Sequence, residues 1–298
     1  MITLTEAEAV ENGSSAVEEK NESEIFRSLD SLTGIAEGFL SENEEIDTQR
    51  VIHSIEEIAR AAVENGMELV TINSVLALGK LAKKAVEKKH ESTLTKAFIA
   101  IGRLGVAAAS NSLETGSKVA NTTLMEIWKL SPQEQSPEKT ITFSILFKEI
   151  GAAGAKKGAE EVALNAASCL GELGKKSAGE KSELETISTL LLLEEMGKLT
   201  AETYLDEALS STALSIEEIG KLSLKKGLKE SLLQSQWALE TLRVQAEEKF
   251  MTNSSVVVEM ALEGLKNTGH IDLEEEVDKF QEIKDLQKNI QSSIFTQP

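Results

Sequence analysis

A short phrase recurs at a fixed interval, and it constrains the fold more than any other feature of this chain. Glu172–Lys176 reads Glu-Leu-Gly-Lys-Lys, Glu195–Leu199 reads Glu-Met-Gly-Lys-Leu, and Glu218–Leu222 reads Glu-Ile-Gly-Lys-Leu. The central glycines of these three phrases are 23 residues apart. Self-similarity at a period of about 20 to 50 residues is typical of repeat architectures. The sequence therefore predicts an array of repeated units.

The glycine defines one position of the repeat, and an alignment on it extends the array in both directions. Its occupants are Ala36, Ala59, Gly79, Gly102, Trp128, Gly151, Gly174, Gly197, Gly220, Arg243 and Lys266. The steps are 23, 20, 23, 26 and then six of 23. This alignment predicts two compensating changes of length, with a longer loop within Val106–Asn121.

The residues around this position indicate helices. The residues four and one before it are apolar in all eleven units, and the residue three after it is mostly small. Apolar residues at this spacing form one stripe of a helix. Each unit is predicted to hold one helix of about four turns and a short connection. The fold class is therefore all-α: a right-handed α-solenoid of about eleven helices, or about five helical hairpins, closed by a C-terminal capping helix at 272–291.

The glycines in mid-helix require a reason, because each costs about 0.5–1 kcal/mol relative to alanine. Six of them in register predict a structural role in which a neighbouring helix approaches closely. These are Gly79, Gly102, Gly151, Gly174, Gly197 and Gly220. Two helix starts also carry capping signals. Ser182 and Glu185 have the spacing of a capping box, and Ser136 precedes Pro137.

The net charge of −19 is concentrated at the two ends of the chain. Residues 1–48 hold 13 acids and 2 bases, and residues 272–298 hold 7 acids and 3 bases, so the long middle is close to neutral. Residues 1–23 are predicted to form an acidic, mobile tail, residues 24–291 a single repeat domain, and residues 292–298 a frayed end.

The helical units resemble α-solenoids of the HEAT and armadillo type. The resemblance is to architecture and period, and it covers most of the chain. It implies a curved superhelix that binds partner proteins or acts as an assembly scaffold. Trp128 interrupts the glycine position, and we expect either a large core side chain there or an exposed anchor for a partner.

The lysines beside the repeat glycine suggest a possible binding site. If alternate helices face alternate sides, four lysines form one row on one face, namely Lys80, Lys129, Lys175 and Lys221. One interpretation is a ladder that binds an acidic partner. The other is that these lysines are paired with acids in structural ladders between neighbouring helices.

The sequence contains no recognisable catalytic or metal-binding constellation. The three histidines (His53, His90 and His270) are far apart, and Cys169 is the only cysteine. No basic cluster with aromatic residues indicates nucleic-acid binding, and no segment resembles a membrane span or a signal peptide. The sequence therefore predicts a cytoplasmic, non-enzymatic scaffold that binds another protein and needs no cofactor or metal. The alternatives are a lyase- or glycosylase-type enzyme on a helical array, and a structural protein that associates with itself.

Overall fold

The computed structural model describes residues 4–131, 136–267 and 277–296, and these ranges contain thirteen α-helices and no β-strand. The helices are α1 (Glu6–Glu18), α2 (Glu22–Glu42), α3 (Glu45–Glu64), α4 (Glu68–Lys88), α5 (Glu91–Ser110), α6 (Glu114–Leu130), α7 (Pro137–Lys156), α8 (Glu160–Gly179), α9 (Glu183–Glu202), α10 (Asp206–Lys226), α11 (Lys229–Glu248), α12 (Thr252–Lys266) and α13 (Val277–Thr296). The predicted all-α, repeat-built fold is confirmed.

The chain divides into two compact units where the sequence predicted one repeat domain. The first unit, Met1–Glu134, contains α1 to α6, and the second, Gln135–Pro298, contains α7 to α13. Within each unit, every helix of the array contacts the next helix and the one after it. Within each unit, consecutive helices of the array are connected by two or three residues and therefore run antiparallel. Each unit is thus a solenoid-like stack with an odd layer (α1, α3, α5; α7, α9, α11) and an even layer.

The repeat register is more regular than the glycine alignment suggested. The helices α2 to α12 begin at intervals of 23 residues without exception, and most have 20 or 21 residues, over five turns. The predicted length changes are therefore wrong, and α5 and α6 are joined by residues 111–113 alone. The residues in register with Gly151 are Ala82 and Gly105. Gly79 and Gly102 lie three residues nearer the start of their helices than Gly151 does in its own. At this second position too a glycine can lie against the next helix of the layer, as Gly79 does.

The repeat glycines lie where the next helix of the same layer approaches most closely. A Cβ added at Gly174 would be 2.5 Å from Ile219 Cδ1, and one at Gly197 would be 2.6 Å from Leu242 Cδ2. In both cases the neighbour is 45 residues later. Gly151 and Gly220 repeat this contact, with Met196 and Leu265 respectively. At Gly79 the neighbour is Thr123, 44 residues later, whose Cγ2 would be 2.5 Å away.

The N-terminal segment belongs to the array. The sequence predicted a mobile tail over residues 1–23, whereas residues 6–18 form α1, which packs against α2 and α3. Thr5 and Glu8 form a capping box at its start. Gly13 keeps the 23-residue register, and its added Cβ would be 2.7 Å from Ile58 Cδ1. The acidic composition obscured a buried face built from small residues such as Ala9 and Ala16.

In each fully described connection between array helices, one left-handed residue lies two positions before the next helix begins. Among the described residues, positive φ values occur only at this position. Its occupants are Lys20, Asn43, Gly66, Lys89, Ser112, Gly158, Lys181, Tyr204, Gly227 and Phe250. A left-handed residue lets a helix end in a Schellman motif, in which backbone amides bond back to the last turn. Only three of the ten are glycine, so the others carry a conformational cost that the array sustains.

Several helix starts are capped by a carboxylate of the helix two units earlier. The carboxylate of Glu160, the first residue of α8, accepts hydrogen bonds from the backbone amides of Glu207 (2.8 Å) and Ala208 (3.5 Å) in α10. Glu68 and Glu183 do the same for α6 and α11. These acids satisfy amides that a helix start leaves free, and they complement its dipole.

Local caps are correspondingly scarce. The residues before α4, α6, α10, α11 and α12 are apolar and nearly buried: Met67, Leu113, Leu205, Leu228 and Met251. Ser182 accepts no capping bond, so the predicted capping box is wrong there. The start at Ser136 and Pro137 is confirmed, since Ser136 Oγ accepts from the Lys139 amide.

The array ends at α12, and the repeat positions change there for a physical reason. Arg243 and Lys266 replace the glycine, while Lys229 and Thr252 replace the acid that begins a helix. Among the described residues, no further array helix follows to which these positions would pack. Arg243 instead pairs with the carboxylates of Glu240, Glu247 and Glu259. This charged cluster covers the end of the stack.

The last helix does not cap that end. The sequence predicted a capping helix at 272–291 and fraying over 292–298, but α13 continues to Thr296 and buries Ile294. It contacts α7 and α9 and packs on residues of α11. It therefore crosses the odd layer of the second unit. Residues 272–276 of the predicted capping helix and residues 297–298 of the predicted frayed end lie outside the described residues.

Candidate helix-binding surface

The odd-layer helices of the second unit carry apolar residues where those of the first unit are mostly polar. The fifth and ninth positions are Ile141 and Ile145 in α7, Ile187 and Leu191 in α9, and Leu233 and Trp237 in α11. The same positions hold Gln49 and His53 in α3, and Thr95 and Ile99 in α5. In α9 the whole run Glu185–Leu193 is buried. A helix that is apolar on all sides must be covered on all sides.

The covering element is α13, which presents one narrow seam to this surface. Its buried residues are Phe280, Ile283, Gln287 and Ile294, separated by three, four and seven positions. Phe280 and Ile283 join a buried cluster with Ile187, Leu191 and Leu233. The Trp237 ring packs beside this cluster, with its centroid 5.8 Å from that of Phe280. We call the residues of α7, α9 and α11 that α13 covers the helix-binding surface.

A glutamine interrupts the apolar seam, and its side-chain nitrogen is hydrogen-bonded. Gln287 is 5% exposed, and its Nε2 donates to both the backbone carbonyl oxygen and the Oγ of Ser188, each at 2.8 Å. Ser188 lies in α9 and is completely buried. A buried amide without partners would be costly, so this bonded pair fixes α13 at one point along α9.

A second glutamine, one turn later, reaches a charged group on α7. Gln291 Nε2 donates to Glu149 Oε1 at 2.7 Å. The same carboxylate pairs with Lys148 at 3.0 Å, and Lys148 also pairs with Glu195 at 2.9 Å. Burial disfavours the Lys148 ammonium, but Glu149 and Glu195 outweigh that effect and raise its pKa. Lys148 therefore remains charged and holds the two carboxylates in place beside α13.

A cavity of about 390 Å³ lies between α9, α11 and the beginning of α13. Its lining includes Trp237, Glu194 and Glu240. Glu194 accepts from Gln234 Nε2 at 2.8 Å and pairs with a lysine, Lys198, of its own helix. The hydrogen bond from the Arg243 guanidinium lowers the pKa of Glu240. Both carboxylates thus accept hydrogen bonds or ion pairs from neighbouring side chains.

The lysine row predicted from the sequence is not one row in the structure. Lys129, Lys175 and Lys221 occupy the sixteenth helix position, whereas Lys80 occupies the thirteenth, and Lys83 is in register with the other three. All of them lie in even-layer helices, whereas the helix-binding surface is formed by odd-layer helices.

Ion pairs, some between alternate helices and one within a helix, are formed by Lys80, Lys83, Lys175 and Lys221. Lys175 pairs with Glu218 at 2.7 Å and Lys83 with Glu126 at 2.7 Å, in each case 43 residues later. Lys80 pairs with Glu37 at 2.7 Å, and Lys221 pairs with Glu217 of its own helix. Trp128 is only 3% exposed, so it is placed to pack rather than to anchor a partner.

Sequence reasoning found α13 but missed the surface beneath it. Neither Trp237 nor Ser188 nor Gln287 carries a local sequence signal for such a surface. The sequence signal for this surface is the run Ile187–Leu193, in which only Ser188 and Thr189 are polar. Such a run leaves the helix without a strongly polar face for solvent. Comparing units two apart, rather than one apart, reveals the apolar positions of the odd layer.

The described ranges contain neither a candidate metal site nor a candidate membrane span. No group of three or more His, Cys, Asp or Glu side chains there is arranged to hold a metal ion. No helix within those ranges combines the length and apolarity needed to cross a membrane.

Comparison with protein-family models and with curated proteins gives no match. Solved structures give matches of low similarity. One is a circular tandem repeat protein with novel repeat topology and enhanced subunit contact surfaces, at 14% identity and TM-score 0.40, covering 97% of this chain and 87% of that one. The DHF58 filament has 16% identity and TM-score 0.20, with 90% and 98% covered. A protein from the computational design of self-assembling cyclic homooligomers has 17% identity and TM-score 0.23, with 97% and 96% covered. At these TM-scores the fold assignment depends on this chain's own helices.

Proposed function

We propose that this chain is a non-enzymatic protein-binding scaffold, and that its working surface binds an amphipathic helix. The observation that carries the proposal is α13. This helix lies outside the 23-residue register and covers three odd-layer helices through an apolar seam and the hydrogen bonds of two glutamines. Docking of an amphipathic helix into an apolar groove is a general mode of peptide recognition.

The position of α13 supports binding rather than a simple closure of the array. The exposed end of the stack is already covered by the charged cluster around Arg243, so α13 is not needed there. The helix-binding surface lies instead along the side of the stack, where solenoids generally bind their partners. In this proposal α13 occupies the surface in cis, and a partner helix with a similar seam replaces it.

The two alternatives are less well supported. End-to-end self-association would bury the charges of Arg243 and Lys266 against a second copy, which is costly unless each finds a new partner. An enzyme would need a titratable group tuned for proton transfer. The cavity beside Trp237 holds the carboxylates of Glu194 and Glu240, but each is bonded to cationic or amide donors.

The test uses the full chain with a protease site inserted among residues 268–276. After cleavage, a fluorescent peptide of residues 277–298 is added, and its uptake is followed by polarisation. We expect saturable exchange with the bound segment while circular dichroism shows an intact helical body. A matched peptide with Phe280→Ala and Ile283→Ala removes two seam residues and should fail to bind. Absence of exchange by the native peptide, or equal binding of both peptides, would overturn the proposal.

A further inference from the structure

We infer that the partner helix of this surface must carry a carboxamide at the position of Gln287 and a hydrogen-bond donor four residues later. The inference rests on the proposed function and specifies its ligand. The full pattern is an apolar residue, a second one three positions on, the glutamine four positions after that, a donor at the next turn, and a final apolar residue. In α13 these are Phe280, Ile283, Gln287, Gln291 and Ile294.

The carboxamide requirement follows from what Ser188 offers. Its carbonyl oxygen only accepts, and both that oxygen and Oγ lie 2.8 Å from Gln287 Nε2. A glutamate has no donor for the carbonyl oxygen and would bring a charge into a site that is 5% exposed. A leucine has no donor. It would cover the carbonyl oxygen and Oγ of Ser188 without replacing the hydrogen bonds that Gln287 donates to them. An asparagine is one methylene shorter and cannot span the same gap from the helix.

The donor requirement follows from the charge at the neighbouring site. Lys148 contributes one positive charge, while Glu149 and Glu195 contribute two negative charges. The group that meets Glu149 must therefore donate, as Gln291 Nε2 does at 2.7 Å. A carboxylate at this position would be repelled, so the surface discriminates against acidic helices.

The glutamine also sets the register of the bound helix. Sliding the helix by one turn in one direction would place Ile283 opposite Ser188 and lose the hydrogen bonds. Sliding it in the other direction would bring Gln291 to Ser188 but take it away from Glu149, and either shift would separate the Phe280 ring from Trp237. A single polar residue in an apolar seam fixes alignment in coiled coils in the same way. The surface should therefore select one alignment as well as one class of helix.

The experiment uses the cleaved full-length complex described above and competing peptides of residues 277–298. We expect Gln287→Leu, Gln287→Glu and Gln287→Asn peptides each to bind roughly tenfold more weakly than the native peptide. The control peptide Asn289→Leu changes an exposed carboxamide on the same helix and should bind as the native peptide does. If the Gln287→Leu peptide binds as tightly as the native one, the inference is wrong.

A Ser188→Ala body makes the test specific to the pair. The preference for glutamine over leucine should then shrink from tenfold to about threefold or less, because only the carbonyl contact remains. An unchanged preference would contradict the assignment. Failure of the native peptide to bind at all would refute the proposed function, and the inference with it.

A second measurement avoids cleavage. In the uncut chain, Gln287→Leu should accelerate hydrogen exchange of the α13 amides about tenfold relative to Asn289→Leu, since a weaker seam lets α13 leave its surface more often. Equal protection in the two variants would also overturn the inference.

Discussion

The substitution Gly197→Ala adds one methyl group where α9 and α11 lie close together. The new Cβ would lie 2.6 Å and 2.7 Å from the two Cδ atoms of Leu242, and 3.2 Å from Thr212 Cγ2. Leu242 is completely buried, so its side chain has little room to withdraw. The perturbation therefore acts on a packed contact rather than on a flexible chain end.

Two effects of opposite sign determine the magnitude. Alanine is favoured over glycine in a helix interior by about 1 kcal/mol. Overpacking of a filled core costs about 1–3 kcal/mol. We expect Gly197→Ala to lower the free energy of unfolding by about 1 kcal/mol, with a larger loss for Gly197→Leu. The matched control is Gly34→Ala in α2, where nothing lies within 4 Å of the added Cβ, and it should gain about 0.5–1 kcal/mol.

Urea unfolding read by hydrogen exchange separates the two sites. Peptides from α9 and α11 report the second unit, and peptides from α2 report the first. In a Leu242→Ala background the cost of Gly197→Ala should disappear, because the opposing side chain is gone. If Gly197→Ala instead stabilises the chain as much as Gly34→Ala does, the close-approach explanation of the repeat glycines is refuted.

Three further predictions concern the turns, the caps and pH. Phe250→Gly should stabilise the chain by about 1 kcal/mol, and Gly158→Ala should destabilise it by a similar amount, because both positions have positive φ and Phe250 is 90% exposed; thermal melts test both. Glu160→Ala should cost about 1 kcal/mol and speed hydrogen exchange at the start of α10, whose amides it caps; unchanged exchange there would contradict the capping role. Burial raises the pKa of Glu185, so folding favours its protonated form and this carboxyl lowers stability as pH rises through the raised pKa. Glu185→Gln should therefore exceed the parent in stability at pH 7 and match it below the ordinary carboxyl pKa of about 4.3, as urea titrations at the two pH values would show.

The period and the helix class could be predicted because both depend on local pattern. Apolar residues four and one before the glycine position mark a helical stripe whatever lies opposite. The register failed at Gly79 and Gly102 because glycine occupies two contact positions three residues apart. A sequence search for glycine alone cannot separate them, whereas helix starts such as Glu68 and Glu91 keep the interval of 23.

The position of α13 could not be predicted from its own sequence. Its stripe shows that one face is buried, and many surfaces would satisfy that requirement. The deciding information lies about 90 residues earlier, in Ile187 and Leu191, which make α9 apolar on the side facing away from the array. The hydrogen bond between Gln287 and Ser188 is likewise a pairing across 99 residues, and it has no local signature.

The contacts between alternate helices impose a parity on the length of this chain. The glycine contacts, amide caps and ion pairs that join alternate helices connect residues 43 to 48 positions apart, so the translational period is two units rather than one. Removing a single 23-residue unit between α9 and α11 would carry Trp237 to the opposite layer from Leu191. Removing two units would preserve its side. A lineage of such chains can therefore gain or lose helices only in pairs if it is to keep the surface that α13 covers.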